Sequence, residues 1–211
     1  LTGRGDSSGG VVGWAFASLP DGVRAIDGLP TEAVAATQLA GDLAATPAPH
    51  PNGACSVDTI VYLSDDWQRS VDALRAIGLE PKRQTSVVRR GVTQVIYRPG
   101  QAIIELVGPR QPPPKPSLAG LTPVTADVDA THAALSESTK PPWDAVQPGR
   151  RMTVVKHALH GMSVPIAFIS PHVRGVERSG DERERLLERR ARAQEAELKR
   201  RGEDTGGASK L

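Results

Sequence analysis

Residues 57–78, VDTIVYLSDDWQRSVDALRAIG, contain a complete strand–helix pattern. The segment VDTIVYL is rich in β-branched residues and has the length of a strand. Asp66 is a typical helix N-cap, Val71 and Leu74 lie one helical turn apart, and Gly78 is a typical helix stop. The stretch therefore predicts a β-strand followed at once by an amphipathic helix.

The same order of elements occurs twice. The first helix is followed by VTQVIYR and AIIELVG, which are joined by the turn residues Pro99 and Gly100. After the spacer RQPPPKPS, the pattern returns as GLTPVT, ADVDATHAALS, RRMTVVKH and VPIAFISP. Overlaying the two helix starts sets Asp66 against Asp127, so the chain contains a diverged internal repeat of a β-α-β-β-type unit.

These patterns predict an α+β protein. We expect a curved mixed sheet of two modules around a cavity, an N-terminal hairpin extension and a charged C-terminal helix. The hairpin turns at Pro20-Asp21-Gly22, and the C-terminal helix begins at a Ser179-x-x-Glu182 capping box. The predicted parts are an N-terminal extension with a Pro-rich linker, a first module, a second module and a charged helical tail, at residues 1–49, 50–110, 117–172 and 173–211.

The distribution of charge narrows the range of partners. Residues from Val173 onward carry 11 of the 26 Lys/Arg and 9 of the 24 Asp/Glu, so residues 1–172 are neutral and show no basic stripe for nucleic acid. No apolar run reaches the roughly 20 residues that cross a bilayer. The single cysteine, Cys55, excludes an internal disulfide. We predict a cytoplasmic protein with a small-molecule partner, without a nucleic-acid or membrane partner, and compatible with a homodimer.

Glu105 is the only carboxylate in the apolar run AIIELVGP, and a partly buried charge needs a partner or a role. If Pro99-Gly100 closes a two-residue turn, Gln94 pairs with Glu105 and Arg98 pairs with Gln101. One face of this hairpin then packs on the helix through Val95, Tyr97, Ala102, Ile104 and Leu106. The other face lines a pocket and carries Gln94, Ile96, Arg98, Gln101, Ile103 and Glu105.

Two further residues are expected on the pocket side. Thr59, in the first strand, becomes a neighbour of Glu105 if Ile60 and Tyr62 face the helix. Met152 is the repeat counterpart of Gln94. The predicted site thus has Glu105 as its catalytic candidate and Thr59, Gln94, Arg98 and Met152 as ligand-binding residues.

Between them, VDTIVYLSDDWQRSVDAL, GQAIIELVGP, GLTPVTADVDATHAAL, AVQPGRRMTVVK and VPIAFISP resemble the vicinal oxygen chelate superfamily, and within it the glyoxalase-like domains. The resemblance covers about residues 50–172. It implies paired βαβββ modules, and in enzymes of the superfamily a divalent metal bound by residues of the first and last strands of each module. The corresponding positions here are Thr59, Glu105, Gly120 and Ala167.

Only Glu105 among these four positions has a side chain suited to a transition metal. The sequence therefore predicts no metal site and no cofactor, with a divalent metal as the alternative. The predicted function is a glyoxalase-like protein that holds a small organic molecule between its modules. Two alternatives stay open, a metal-dependent lyase, isomerase or dioxygenase and a metal-independent enzyme in which Glu105 acts as general base, so the sequence does not decide whether the protein is an enzyme.

Overall fold

The computed structural model describes residues 10–38, 50–87 and 92–173 of the 211-residue chain. Most of the predicted Pro-rich linker and the predicted charged helix with its Ser179 capping box lie outside the described residues. Within these three ranges, no helix combines the length and the apolar character needed to cross a membrane.

The chain divides into two compact units. Unit one comprises Leu1–Pro142 and Met152–Pro171, and unit two comprises Trp143–Arg151 and His172–Leu211. In the described part of unit two, the backbone N–H of Ala145 donates to the carbonyl of Arg150 at 2.7 Å, and the side chain of Arg150 is buried. The predicted modules lie almost entirely in unit one.

The strands and helices follow the predicted order. The N-terminal strands are β1 (Trp14–Ala17), β2 (Ala25–Ile26) and β3 (Leu29–Val34). The first module consists of β4 (Ala54–Leu63), α1 (Trp67–Arg75), β5 (Arg83–Val87), β6 (Val92–Tyr97) and β7 (Ile103–Gly108). The second contains β8 (Ser117–Thr125), α2 (Val128–Leu135), β9 (Trp143–Asp144), β10 (Arg151–Val154) and β11 (Ala167–Ile169), with β9 in unit two.

Both helices begin as the sequence predicts. The Asp66 carboxylate accepts hydrogen bonds from the backbone N–H groups of Gln68 and Arg69 at 3.1 and 3.2 Å. Asp127 is the N-cap of α2 in the same way, and its carboxylate accepts from the backbone N–H groups of Asp129 and Ala130 at 2.9 and 3.0 Å. Each cap satisfies N–H groups that have no partner within the first turn of a helix.

The two modules join through their first strands. In unit one the strand order is β5-β6-β7-β4-β8-β11-β10. The central pair, β4 and β8, is antiparallel, while β4 pairs with β7 and β8 pairs with β11 in parallel. Each module thus contributes one half of a mixed sheet by the same pattern, which confirms the predicted fold class.

The predicted core face of the sheet is confirmed. Val71 and Leu74 of α1 are buried in one cluster with strand residues at most 3% exposed, namely Tyr62, Val95, Tyr97, Ile104, Leu106 and Leu118. The helix approaches the end of β7 so closely that a Cβ on Gly108 would lie 2.8 Å from Cδ1 of Trp67. Gly108 is therefore required by the packing of α1.

The register of the β6–β7 hairpin differs from the prediction by two residues. Ile96 is opposite Glu105 and Gln94 is opposite Val107, so the predicted Gln94–Glu105 and Arg98–Gln101 pairs are wrong. Five residues, 98–102, connect the strands, and Gly100 lacks the positive φ that a two-residue type II turn requires. Because side chains alternate with a period of two, this shift leaves every residue on its predicted face.

The N-terminal hairpin also turns later than predicted. A turn exists at Pro20, where the N–H of Val23 donates to the carbonyl of Pro20 at 3.3 Å. This turn does not join paired strands. The hairpin consists of β2 and β3 and turns at Asp27-Gly28, both at positive φ, whereas β1 runs parallel to β3. Asp-Gly is a strong hairpin signal at either place, and only the later one joins strands that pair.

This N-terminal sheet packs on the helix side of the first module. Ile26 and Leu29 are buried in the same cluster as Tyr62. The Trp14 ring meets the Tyr62 ring edge to face at 5.4 Å, and its Nε1 donates to Oγ1 of Thr31 at 2.9 Å. The extension therefore completes the core of the first module.

Candidate functional site

The sheet face that carries Glu105 lies opposite the α1 side and is called the Glu105 face. The strand registers place its residues in rows that run across the sheet. One row crosses β5, β6, β7, β4 and β8 at Arg83, Ile96, Glu105, Val61 and Gly120. The next crosses β7, β4 and β8 at Ile103, Thr59 and Thr122 and continues through Ala167 and Val154 on β11 and β10.

Gln94 and Glu105 are brought together. Nε2 of Gln94 donates to Oε1 of Glu105 at 2.5 Å, and both side chains are half-buried. The contact is diagonal, because Gln94 lies one row away from the residue directly opposite Glu105. Diagonal neighbours of this kind are within reach of long side chains.

Thr59 lies on the Glu105 face as predicted, but one row away from Glu105. Val61 is directly opposite Glu105 on β4, and Thr59 is opposite Ile103. Thr59 is 7% exposed, and its hydroxyl donates to Oδ2 of Asp58 at 2.8 Å. The two residues therefore share the face without a hydrogen bond between them.

The other two predicted ligand-binding residues lie farther from Glu105. Arg98 is exposed and belongs to the connection between β6 and β7. Met152 is buried on β10, opposite Ile169, and β4, β8 and β11 separate it from β7. Its register places it on the Glu105 face at the far end of the second module.

The four positions implied for a metal do not provide a coordination sphere. Gly120 and Ala167 have no donor atoms, and the hydroxyl of Thr59 is bonded to Asp58. Within the described ranges, no group of three or more His, Cys, Asp or Glu side chains is arranged to hold a metal ion. The other polar side chains near Glu105 are the amide of Gln94 and the hydroxyl of Thr59, and transition metals prefer neither as a ligand.

Two threonines of the face were not singled out from the sequence. Thr122 is directly opposite Thr59, and Thr85 is opposite Gln94. The alternation of apolar and polar residues in β8 would identify Thr122 as a residue of this face once the pairing of β4 with β8 is known. Thr85 lies in a strand that the sequence pattern did not identify.

A buried polar cluster on the helix side was also missed; the Asp27 cluster consists of Asp27, Tyr62, Ser64, Arg69 and Ser70. The Asp27 carboxylate is 4% exposed and accepts from the Tyr62 hydroxyl at 2.5 Å, from Nε of Arg69 at 2.6 Å and from the Ser70 hydroxyl. Oγ of Ser64 lies 2.6 Å from Oγ of Ser70. Because the three donors come from β4 and α1, the cluster fixes the N-terminal hairpin on the first module.

The cluster shifts the ionisation of its members. Burial, together with the hydrogen bond to Asp27, raises the pKa of the Tyr62 hydroxyl far above its usual value. Beside the cluster, the hydrogen bond from Arg69 lowers the pKa of the half-buried Asp65 carboxyl, and Asp65 and Asp27 together raise the pKa of Arg69. These groups stay in the charge states that the cluster needs across the neutral range.

Solved structures to which the chain is similar include two methylmalonyl-CoA epimerases. The enzyme of Mycobacterium tuberculosis is 14% identical, with a TM-score of 0.46, over 58% of this chain and 91% of that chain. A variant of the Streptomyces coelicolor enzyme, in complex with 2-nitronate-propionyl-CoA, is 20% identical, with a TM-score of 0.44, over 56% of this chain and 98% of that chain. A hypothetical protein of Bacillus halodurans is 12% identical, with a TM-score of 0.45, over 57% of this chain and 97% of that chain.

A comparison with protein-family models finds no match, and neither does a comparison with curated protein sequences. The strand order and pairing of unit one are those of the paired modules that the resemblance to the vicinal oxygen chelate superfamily predicts. The prediction is therefore confirmed for the fold. An activity does not follow from the fold, because one fold supports many chemistries.

Proposed function

We propose that unit one binds a small organic molecule on the Glu105 face and that Gln94 and Glu105 orient it by hydrogen bonds. The observation that carries this proposal is the 2.5 Å hydrogen bond from Gln94 to Glu105. It holds a half-buried carboxylate on a face that is otherwise mostly apolar, where such a group is costly unless it has a use.

The surroundings of the pair suit an organic ligand. Val61 and Ile96 flank Glu105 in its row, and Ile103 precedes it by two residues on the same strand. Ligand sites are typically apolar surfaces with a few fixed polar groups. Here Gln94 restrains the Glu105 side chain, so less conformational freedom is lost when a ligand binds.

The described residues around Glu105 offer no set of ligands for a transition metal, and the proposed function does not invoke one. The amide of Gln94 already occupies one oxygen of the Glu105 carboxylate, and the neighbouring positions Val61 and Gly120 have no donor atoms. The ligand is therefore recognised by direct hydrogen bonds and apolar contact.

Isothermal titration calorimetry with a panel of small primary amides, alcohols and amines tests the proposal. For the probes that bind the wild type, Glu105→Gln should raise Kd about tenfold or more, because a hydrogen bond to a charged group contributes about 1.5–3 kcal/mol. Gln94→Leu should also raise the Kd of these probes. Glu80→Gln is the matched control, since Glu80 lies beyond α1 with a side chain 68% exposed.

The proposal fails if none of the probes binds the wild type. It also fails if Glu105→Gln, folded as stably as the control, binds every probe with unchanged affinity.

A further inference from the structure

The two ends of the Glu105 face differ in chemistry. In the first module the face carries the Gln94–Glu105 pair. From Val61 onward it continues over β4, β8, β11 and β10 through mostly small and apolar residues. This apolar strip consists of Val61, Gly120, Ala167, Val154, Met152 and Ile169, and the hydroxyl residues Thr59 and Thr122 lie along it.

The strip begins directly beside Glu105. Val61 is opposite Glu105 on one side and opposite Gly120 on the other. A Cβ on Gly120 would lie 3.3 Å from the Val61 side chain, and Gly120 itself raises no side chain above the sheet. Val61, Ala167 and Val154 are half-buried, so this part of the strip is partly accessible, whereas Met152 and Ile169 at its far end are buried.

The polar end presents acceptors. Nε2 of Gln94 faces the carboxylate, because the reverse orientation would set two oxygen acceptors against each other. Oε2 of Glu105 and Oε1 of Gln94 then have no hydrogen-bond partner within the described ranges of the chain. A ligand group that fits both oxygens must carry at least two N–H or O–H donors.

The charges nearby favour a cation at this end. Glu105 has no ion-pair partner among the residues that the structure describes. Arg83 has its own interactions and lies two strands away on β5, and Arg98 is exposed beyond the end of β6. A protonated amine supplies three donors and the opposite charge.

We infer that the ligand is an amphipathic amine whose ammonium group binds Glu105 and Gln94 and whose apolar chain lies along the strip over the second module. This inference rests on the proposed function and names its ligand class. From β7 to β11 the alkyl chain crosses three strand spacings, about 14 Å in total at about 4.8 Å each. The accessible part of the strip therefore has the length of a long extended alkyl chain.

Calorimetric titration of decylamine, dodecylamine and decanoate tests the inference, because the extended chain of dodecylamine spans about the distance from β7 to β11. Dodecylamine should bind the wild type about tenfold more tightly than decylamine, because each buried methylene strengthens binding severalfold. Decanoate should bind far more weakly than decylamine, since its charge repels Glu105. Glu105→Gln should weaken both amines by a similar factor.

Two variants in the strip distinguish the contribution of the ligand's alkyl chain to affinity from that of its ammonium group. Ala167→Ile fills the strip at β11, and Val154→Thr places a hydroxyl beside it with little change of shape. Each should abolish most of the tenfold advantage of dodecylamine while leaving decylamine within about threefold of the wild type. Ala15→Ile, at an exposed position of β1, is the matched control and should change neither amine.

Each contrary result identifies what fails. Glu105-dependent binding of both amines with equal affinity overturns the chain assignment and leaves the proposed function intact. Decanoate binding as tightly as decylamine overturns the head-group assignment. If amides or alcohols bind at Glu105 and no amine does, the inference fails alone, and if no probe depends on Glu105, the proposed function fails with it.

Discussion

Two tyrosines on the same side of the sheet have opposite surroundings. Tyr62 and Tyr97 are both 0% exposed, and they are the only tyrosines in the chain. The Tyr62 hydroxyl donates to Asp27, whereas the Tyr97 hydroxyl has no hydrogen-bond partner among the described residues. A buried hydroxyl without a partner loses its hydration and gains nothing in return.

Replacing each tyrosine by phenylalanine should therefore have opposite effects on stability. Tyr62→Phe removes a donor from the buried Asp27 carboxylate and should lower the free energy of unfolding by about 1–2 kcal/mol. Tyr97→Phe should leave it unchanged or raise it by up to about 1 kcal/mol. Urea denaturation of both variants measures this, and an equal loss in the two would contradict the account.

The same residues determine how the protein responds to alkali. Burial raises the pKa of Tyr97 from 10.0 to about 12, and the pKa of Tyr62 is raised further. Below the unfolded pKa both states keep the proton, so stability is unaffected. Between the pKa of the unfolded state and the pKa of the folded state, only the unfolded state loses the hydroxyl proton. The free energy of unfolding therefore falls as the pH rises.

Spectrophotometric titration of tyrosinate, monitored together with circular dichroism, should show both hydroxyls ionising in one step as the protein unfolds. Tyr97→Phe should make the loss of stability above about pH 10 less steep. A tyrosine that ionises at its ordinary value in the folded protein would contradict the assigned burial.

The repeat is most evident at the starts of the two helices. Ser64 and Ser70 of the first module correspond to Thr125 and Thr131 of the second, and each pair is in hydroxyl contact, at 2.6 and 2.7 Å. A preceding segment completes each pair, since Ser70 also binds Asp27 and Thr131 donates to the carbonyl of Asn52 at 2.9 Å. Each module is thus docked on an Asx-Gly segment that comes before it.

The Asp27 cluster is expected to account for much of the docking of the N-terminal hairpin. Asp27→Ala leaves Tyr62, Ser70 and Arg69 without their acceptor and should lower the free energy of unfolding by about 2–4 kcal/mol. Asp27→Asn keeps one acceptor oxygen and tolerates the φ of 50°, so it should lose clearly less. Chemical denaturation measures both variants.

Asp21→Ala is the control for this comparison, because Asp21 is exposed in the earlier turn and should change stability by less than about 0.5 kcal/mol. An Asp27→Ala variant as stable as this control would show that the cluster does not hold the hairpin.

Local patterns predicted the elements but not their long-range partners. Helical spacing and N-caps identified α1 and α2, and alternation gave the faces of β6 and β7. The register of that hairpin was wrong because it depends on the backbone of residues 98–102, which composition does not specify. The contact of Asp27 with Arg69 joins residues 42 positions apart, and no local sequence pattern predicts it.

At the scale of the whole molecule, the internal repeat is the fact that the sequence revealed best. Two similar modules, placed side by side through β4 and β8, form one sheet with the helix-covered core on one side. Glu105 and its partner Gln94 lie on the other side, as predicted. Thr59 and Met152 share that face but do not contact Glu105, because a face prediction fixes the side of a residue and not its distance.

We propose that Glu105 acts through direct hydrogen bonds and not as a metal ligand. Elemental analysis of protein purified without chelators, for the wild type and Glu105→Gln, tests it most directly. We predict far less than one equivalent of any divalent transition metal in both proteins. One equivalent bound tightly in the wild type and lost in Glu105→Gln would contradict the account.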